Sequence, residues 1–312
     1  MMKYITRITT ILFFVFTVSS FSNAGNSKQF LTDADSTSFT FAFLTDIHIK
    51  QDSNAMIGFN MAIDTVNKLK PDFVITGGDL IMDALGVQQS KADSLAKLYK
   101  AVSSKFAMPV YNTKGNHDMF GVYKESGVNP DNPEYGNKFF EVYFGKRYYS
   151  FNHKGWHFII LDDVKITDDR KYEGYIDDNE LAWIKEDISH IDSITPIVLT
   201  AHIPFISTYG ATIDAAKGAT QSDLINVKQV LELFVHHNLK LVLQGHLHYF
   251  EDIKESQIHF IIGGAISGFS WKDSVNHNKE GFVMVSVKGQ NIQARYLQHR
   301  RKVEFFKNAV KD

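Results

Sequence analysis

Five short blocks along the chain carry side chains that could hold cations: Asp46-Ile47-His48, Gly78-Asp79, Gly115-Asn116-His117-Asp118, Ala201-His202 and Gly245-His246-Leu247-His248. Carboxylate and amide oxygens together with imidazole nitrogens are the donor set for first-row divalent cations of borderline hardness. Seven such donors, Asp46, His48, Asp79, Asn116, His202, His246 and His248, exceed what a single ion uses. A shared carboxylate between two ions about 3.5–4 Å apart accounts for all of them. In an extended segment residues i and i+2 point the same way, so Asp46 with His48, and His246 with His248, could each face one site. Taken singly, an Asp-x-His or Gly-Asp fragment is an ordinary exposed turn. Five of them in order, each directly after an apolar run, point to a site.

The elements that must position these blocks follow from periodicity. Phe39, Phe41 and Phe43 alternate with Thr40 and Ala42, as a half-buried strand requires, and further strands are expected at Phe73–Thr76, Pro109–Tyr111, Pro196–Thr200 and Lys240–Leu243. Helical spacing predicts helices through Met56, Phe59, Ile63 and Val66, through Leu95 to Val102, from Asp177-Asp178 through Leu181, Ile184 and Ile188, and through Leu224, Val227, Leu231 and Phe234. Arg147–Asn152 and Trp156–Leu161 read as a hairpin, and His259–Ile262, Phe282–Val287 and Ile292–Tyr296 make the last third rich in strands. Strand–helix alternation argues an α/β domain with sheets packed face to face. Ligands of open α/β sheets lie beyond the carboxyl ends of the strands, where all five blocks stand.

In that order and spacing the blocks resemble the calcineurin-like metallophosphoesterase family. Gly174–Ile188, with Leu181-Ala182-Trp183-Ile184, further resembles the helix before the His202 strand in the cyclic-nucleotide phosphodiesterase and acid-phosphatase branches. The resemblance implies a four-layer α-β-β-α sandwich of two mixed β-sheets flanked by helices. It implies that Asp46, His48 and His248 hold one metal and Asn116, His202 and His246 the other, with Asp79 bridging. It also implies that a metal-bridging hydroxide attacks phosphorus while His117 stabilises charge and donates a proton. An acid orients that donor in many members, and here both Asp83 and Asp118 are candidates. Purple acid phosphatases carry a metal-binding Tyr three residues after the bridging Asp; Met82 stands there, which argues against an iron–tyrosinate centre. Without thiolates the two divalent ions would be drawn from Mn, Fe, Zn or Ni. The substrate expected is a small phosphate mono- or diester, with a nucleotide or sugar-nucleotide pyrophosphate as the alternative. A metal-containing binding protein without turnover is the reading from another class, but it would be marked by loss of His117 or of the bridging acid, and both are present.

The remaining histidines carry weaker signals. His236-His237 suit the carbonyls at a helix end; His153, His157, His190, His259, His277 and His299 follow no motif. Asp162-Asp163 ends a strand at the same rim and could support the ligands from behind. Pro204–Gln221, rich in Ala, Thr and Gly, could form a lid. Substrate recognition is expected in this segment and in Phe120–Asn137.

Composition sets the outer bounds. Of 312 residues 44% are hydrophobic, including 25 Phe and 13 Tyr, enough for a large core, and the absence of Cys excludes a disulfide scaffold, a zinc finger and a Cys nucleophile. A net charge of −2 gives no general attraction to nucleic-acid polymers or anionic membranes. Oligomeric state is left open. Residues 1–24 combine Lys3 and Arg7, an apolar run from Ile8 to Val18 and a small-residue exit at Ala24, which reads as a cleaved signal peptide with no stable membrane anchor. Residues 25–38 would then be a flexible leader, 39–300 the domain and 301–312 a C-terminal tail, in a periplasmic or secreted protein. N-terminal sequencing of exported material should return a chain starting at or near Gly25. A start at Met1 would make the segment an uncleaved anchor instead.

Overall fold

The computed structural model describes residues 38–208, 223–268, 271 and 280–299. The expected signal peptide, nearly all of the leader, most of the expected lid and the C-terminal tail lie outside the described residues. Among the described residues no helix is long and apolar enough to cross a membrane.

Strand β1 (Phe39–Leu44) is central in a five-stranded sheet. It pairs parallel with β2 (Phe73–Thr76), which pairs parallel with β3 (Val110–Tyr111). On its other side β12 (Gly281–Lys288) and then β13 (Asn291–Gln298) run antiparallel. A second sheet of six strands contains β4 (Tyr149–His153), β5 (Trp156–Ile160), β8 (Pro196–Thr200), β9 (Asn238–Gln244), β10 (Phe250–Glu255) and β11 (Ile258–Gly263). Its spatial order is β10-β11-β9-β8-β5-β4, with β5, β8, β9 and β11 mutually parallel and the two edges antiparallel. Both sheets are therefore mixed. A short hairpin, β6 (Val164–Ile166) with β7 (Tyr172–Gly174), stands apart from them.

Alternation along β1 explains the layering. Phe39, Phe41 and Phe43 enter an intersheet core with Phe73, Ile75, Trp156, Phe158, Val198, Leu241 and Leu243. Ala42 and Leu44, on the opposite face, meet helices α1 (Ser53–Leu69) and α2 (Gln89–Ser103) through Phe59, Ile63, Leu95 and Tyr99. The far face of the six-stranded sheet is covered by α4 (Asp178–Ser189) and α5 (Val227–Glu232), with Leu181, Ile184 and Val230 against Ile159, Leu199 and Val242. The order is helix, sheet, sheet, helix, as the resemblance implied. Helix α1 begins where the Asp52 carboxylate accepts the Ala55 N–H at 2.8 Å and ends where Lys70 turns left-handed before Pro71. Asp177 caps α4 in the same way, accepting the Glu180 N–H at 2.9 Å.

The structure departs from the sequence reading in four elements. The helix expected from Leu224 to Phe234 is regular only over Val227–Glu232. The amides of Leu224 and Ile225 are taken by Pro204 O and Gly174 O, and the Asn226 carboxamide bonds both the N–H and C=O of Ile176, so the chain cannot coil sooner. Helix α3 (Asn137–Tyr143) and the β6–β7 hairpin were not foreseen, being too short for a periodic signal, and neither was β10, an edge strand with no buried residue to mark a face.

The Phe73 ring lies parallel to Phe41 with centroids 5.2 Å apart and meets Phe158 edge-on at 5.3 Å. Phe73→Ala should lower the unfolding free energy by about 3–5 kcal/mol. Ile57→Ala, on an exposed helical position, should change it by less than about 0.5 kcal/mol. Urea unfolding of the two variants checks both figures.

Candidate metal centre

The carboxyl ends of β1, β2, β3, β8 and β9 deliver Asp46 and His48, Asp79, Asn116, His202, and His246 and His248 respectively to one rim between the sheets. Three overlapping groups place their donor atoms within 4.8 Å of one another: Asp46, His48 and His248; His48, Asp79 and His117; Asp79, His202 and His246. All but His117, His246 and His248 are buried.

The route by which the i, i+2 pairs converge differs from the extended segments expected. Asp46, His48, Asp79, His246 and His248 all have positive φ, between 46° and 69°. Each loop leaves its strand by a left-handed kink, a conformation that costs a non-glycine residue of order 1–3 kcal/mol and persists only where surrounding contacts over-determine it. Those contacts are present. The amides of Asp46 and His48 donate to Gly78 O and Asp79 O at 3.1 and 2.9 Å. The Thr45 hydroxyl and the His246 N–H both reach the Asp46 carboxylate, at 2.6 and 3.1 Å. Trp271, buried, donates its indole N–H to Ile47 O and His48 O, and Ser267 donates its hydroxyl to Asp46 O.

Asp79 sits at the middle of the constellation. Its Oδ1 accepts the His117 N–H at 2.8 Å, while Oδ2 lies 3.4 Å from both His48 Nε2 and His202 Nε2. On one side of Asp79, His248 Nε2 lies 3.3 Å from Asp46 Oδ1 and 3.1 Å from His48 Nε2. On the other, Asn116 Oδ1 lies 2.9 Å from His202 Nε2 and 3.1 Å from His246 Nδ1. The second ring nitrogens are engaged behind: His202 Nδ1 donates to Gly77 O and His248 Nδ1 to Gly268 O, leaving Nε2 of each directed into the site.

Charge makes the same point. Burial pushes the His48 pKa down to about 3 and the His246 pKa down to about 4, so both rings are neutral, the form that ligates metal. Burial also opposes charge on His202, yet the Asp79 carboxylate overrides it and holds that pKa up at about 10. Asp46 and Asp79 stay below the ordinary carboxylate range despite burial, held there by His248 and His202 respectively. Buried anions flanked by imidazoles with inward nitrogens are the donor set and field that a cation requires. The residues present fit divalent metal ions.

The two acids considered for His117 are now separated. Asp83 Oδ1 lies 3.4 Å from His117 Nδ1 as an ion pair. Asp118 faces away: its Oδ1 accepts from Leu80 N and Ile81 N and its Oδ2 from Gly115 N, at 2.9–3.2 Å. Burial opposes charge on His117, but Asp79 and Asp83 raise its pKa to about 9. Burial, with Asp79 nearby, pushes Asp118 up to about 7.

Several contributors carry no sequence motif. Lys114, fully buried, binds Asp162 at 2.5 Å, Asn137 Oδ1 at 2.6 Å and Val164 O at 2.9 Å, tying the loop after β3 to that after β5. Asp162 also takes Arg147 at 2.6 Å. Asp163 accepts the His202 N–H at 3.1 Å, the supporting position suspected for this pair. Arg170 binds Gly121 O, Val122 O and Val128 O, pinning the β6–β7 hairpin to the loop after His117. Tyr172 on that hairpin presents its ring edge-on to His246, centroids 6.2 Å apart. A lysine directly before the Gly115-Asn116-His117-Asp118 block was the available signal for Lys114; the others become visible only in three dimensions. His157, itself buried, bonds Asn152 and Asp187 nearer the surface, away from these ligands.

A sequence model of the calcineurin-like phosphoesterases matches residues 39–250. The chain belongs to that family, and it is a metal-dependent phosphoester hydrolase. No curated protein matches it by sequence. Among solved structures, a dimetal phosphatase from Danio rerio is similar at 12% identity and a TM-score of 0.61, the match covering 84% of this chain and 96% of that one. A phosphopantetheinyl hydrolase from Mycobacterium tuberculosis aligns at 13% identity and a TM-score of 0.47, over 74% of this chain and 91% of that one. At these identities the likeness is one of fold.

Close approach explains the glycine of the third block. A Cβ on Gly115 would fall against the amide and carboxylate of Asp79, whereas one on Gly86 would meet nothing nearer than 3.6 Å. Gly115→Ala should displace Asp79 and lower Mn²⁺ uptake by at least about tenfold. Gly86→Ala should leave it unchanged. Equilibrium dialysis of the two variants decides between them.

Proposed function

We propose that this chain is an exported phosphoesterase using two divalent cations, drawn from Mn, Fe, Zn or Ni, to hydrolyse small phosphate mono- or diesters. The observation that carries the proposal is the Asp79 carboxylate, whose Oδ2 stands 3.4 Å from a histidine of each ligand group. Asp46, His48 and His248 would hold one ion and Asn116, His202 and His246 the other, with Asp79 common to both. Cations bound there would lower the pKa of water and withdraw negative charge from the phosphoryl oxygens. Export is supported by the residue pattern of Met1–Ala24. A small substrate, and not a nucleic-acid polymer, fits the near-neutral charge of the chain.

The chain's own residues supply positioning and the proton. His117 shares the 4.8 Å grouping with His48 and Asp79, and its side chain is about one-third exposed, open to a substrate from solvent. With its pKa raised to about 9 it carries a proton at neutral pH. As water attacks phosphorus and the bond to the leaving oxygen breaks, that proton passes to the departing alkoxide. Asp83 orients the ring and favours its charged form. Asp118 acts one step removed, fixing the amides of Gly115, Leu80 and Ile81 and so the two loops that carry Asp79 and Asn116.

A proton donor matters in proportion to how badly the leaving group needs a proton. His117→Asn should therefore keep its cations and lose about 10²–10⁴-fold more kcat/KM on alkyl phosphates than on nitrophenyl phosphates. Asp83→Asn should show the same preference more weakly. His202→Ala should depress both substrates alike, because a ligand is lost. Equal losses on the two ester types in the His117 variant would remove the proton-donor role. Absence of hydrolysis by the parent protein with every one of the four metals would overturn the reaction itself.

A further inference from the structure

A segment beyond the family match braces one of the two ligand groups. The backbone carbonyls of four successive residues, Thr45 to His48, all accept hydrogen bonds from it. Ile266 N donates to Thr45 O at 2.9 Å, and Ser267 donates its amide and its hydroxyl to Asp46 O at 3.3 and 2.8 Å. The indole N–H of Trp271 is shared between Ile47 O at 2.9 Å and His48 O at 3.0 Å. Gly268 O in turn accepts from His248 Nδ1 at 2.9 Å. Asp46, His48 and His248, three of the five residues so touched, form one ligand group. The other group is held differently, with His202 on Gly77 O and on the Asp163 carboxylate.

The kinks at Asp46 and His48 give these bonds their purpose. Two left-handed residues separated by one would relax toward extended backbone unless their carbonyls were fixed, and relaxation would swing the Asp46 carboxylate and the His48 ring apart. Trp271 is itself left-handed, at φ 62°, and its ring is buried, so its indole is a fixed donor rather than a mobile one. Its amide bonds back to Ser267 O at 2.8 Å, closing the segment on itself.

We propose that Trp271, assisted by Ser267, is a positioning residue that sets the cation affinity of the Asp46–His48–His248 group and leaves that of the Asn116–His202–His246 group to other contacts. This rests on the reading of the two groups as cation sites. Partners that orient ligands from behind typically govern 10- to 100-fold of metal affinity, roughly the effect expected for loss of the indole donor.

The test is Mn²⁺ titration calorimetry on the full chain, comparing the parent with Trp271→Phe, which keeps an aromatic ring and removes the N–H. One binding step should weaken by about 10- to 100-fold, and the other should stay within about twofold. In parallel, hydrolysis of nitrophenyl phosphate should half-saturate at correspondingly higher Mn²⁺ and regain nearly the parental rate when saturated. A merely structural lesion would weaken both binding steps alike. Two steps weakened equally, or neither, would overturn the positioning role while leaving the cation sites standing. A parent that takes up no Mn²⁺ would overturn the sites, and this inference with them. Should Trp271→Phe fail to fold, Ser267→Ala decides: loss confined to one step, by roughly 2- to 10-fold, supports the proposal, and an unchanged or symmetrical titration rejects it.

Discussion

Two carboxylates buried within reach of the same imidazoles impose the constraint on which the rest of this molecule depends. Asp46 and Asp79 are at most 2% exposed, and an ionised acid taken that far from water is costly unless it is paired. Here the pairing is with His248 for one and with His202 and His48 for the other, together with hydrogen bonds from Thr45, His246 and His117. A single side of the molecule could not supply so many donors. The two sheets therefore meet at their carboxyl ends, Asp46, Asp79 and Asn116 coming from one and His202, His246 and His248 from the other.

That meeting must be rigid, and the intersheet core provides the rigidity at one level. Aromatic rings dominate it, Phe41, Phe73, Phe151 and Phe158 packing in alternating parallel and edge-on contacts. Polar ties provide the register at the rim itself. Lys114 and Arg147 converge on the Asp162 carboxylate, and the Glu180 carboxylate accepts the Asp162 N–H, so the ends of β3 and β5 and the start of α4 are locked to one residue. A buried ion pair of this kind is weak evidence for stability. Its geometric effect is definite, because no apolar replacement could bind Asn137, Val164 and Asp162 at once.

Much of this was legible in the residues. The phenylalanine alternation of β1 separates the two sides of its sheet, and the five blocks name the residues that the loops bring together, because each block directly follows an apolar strand. Three of the features that were not legible were hidden for distinct reasons. The i, i+2 pairs were expected in extended backbone but converge through left-handed kinks; spacing alone does not reveal φ. The helix predicted from Leu224 was shortened by tertiary bonds to Asn226 and its neighbours, which outweigh local periodicity. Between Asp83 and Asp118 the sequence gives no preference, since both stand close to the Gly-Asp and Asn-His blocks. Only the direction of each carboxylate, toward His117 or toward backbone amides, distinguishes them.

Five left-handed residues at one rim would together cost on the order of 5 kcal/mol or more, a large fraction of the stability of an ordinary domain. Their neighbours must therefore do more than fold: the amides of Asp46 and His48 and the carbonyls of Asp46, Ile47 and His48 are met by specific partners, from Gly78 and Asp79 on one side and Ser267 and Trp271 on the other. The strain and the buried charge have a common logic. Kinks place side chains at i and i+2 on a single point where extended backbone would give only a shared face, and the charge at that point then favours any cation that enters. Binding there links the ends of strands from both sheets, so cation affinity adds to folding stability by mass action, about 2.7 kcal/mol at a concentration one hundred times the dissociation constant. A site assembled in this way is costly without its cations and stabilising with them.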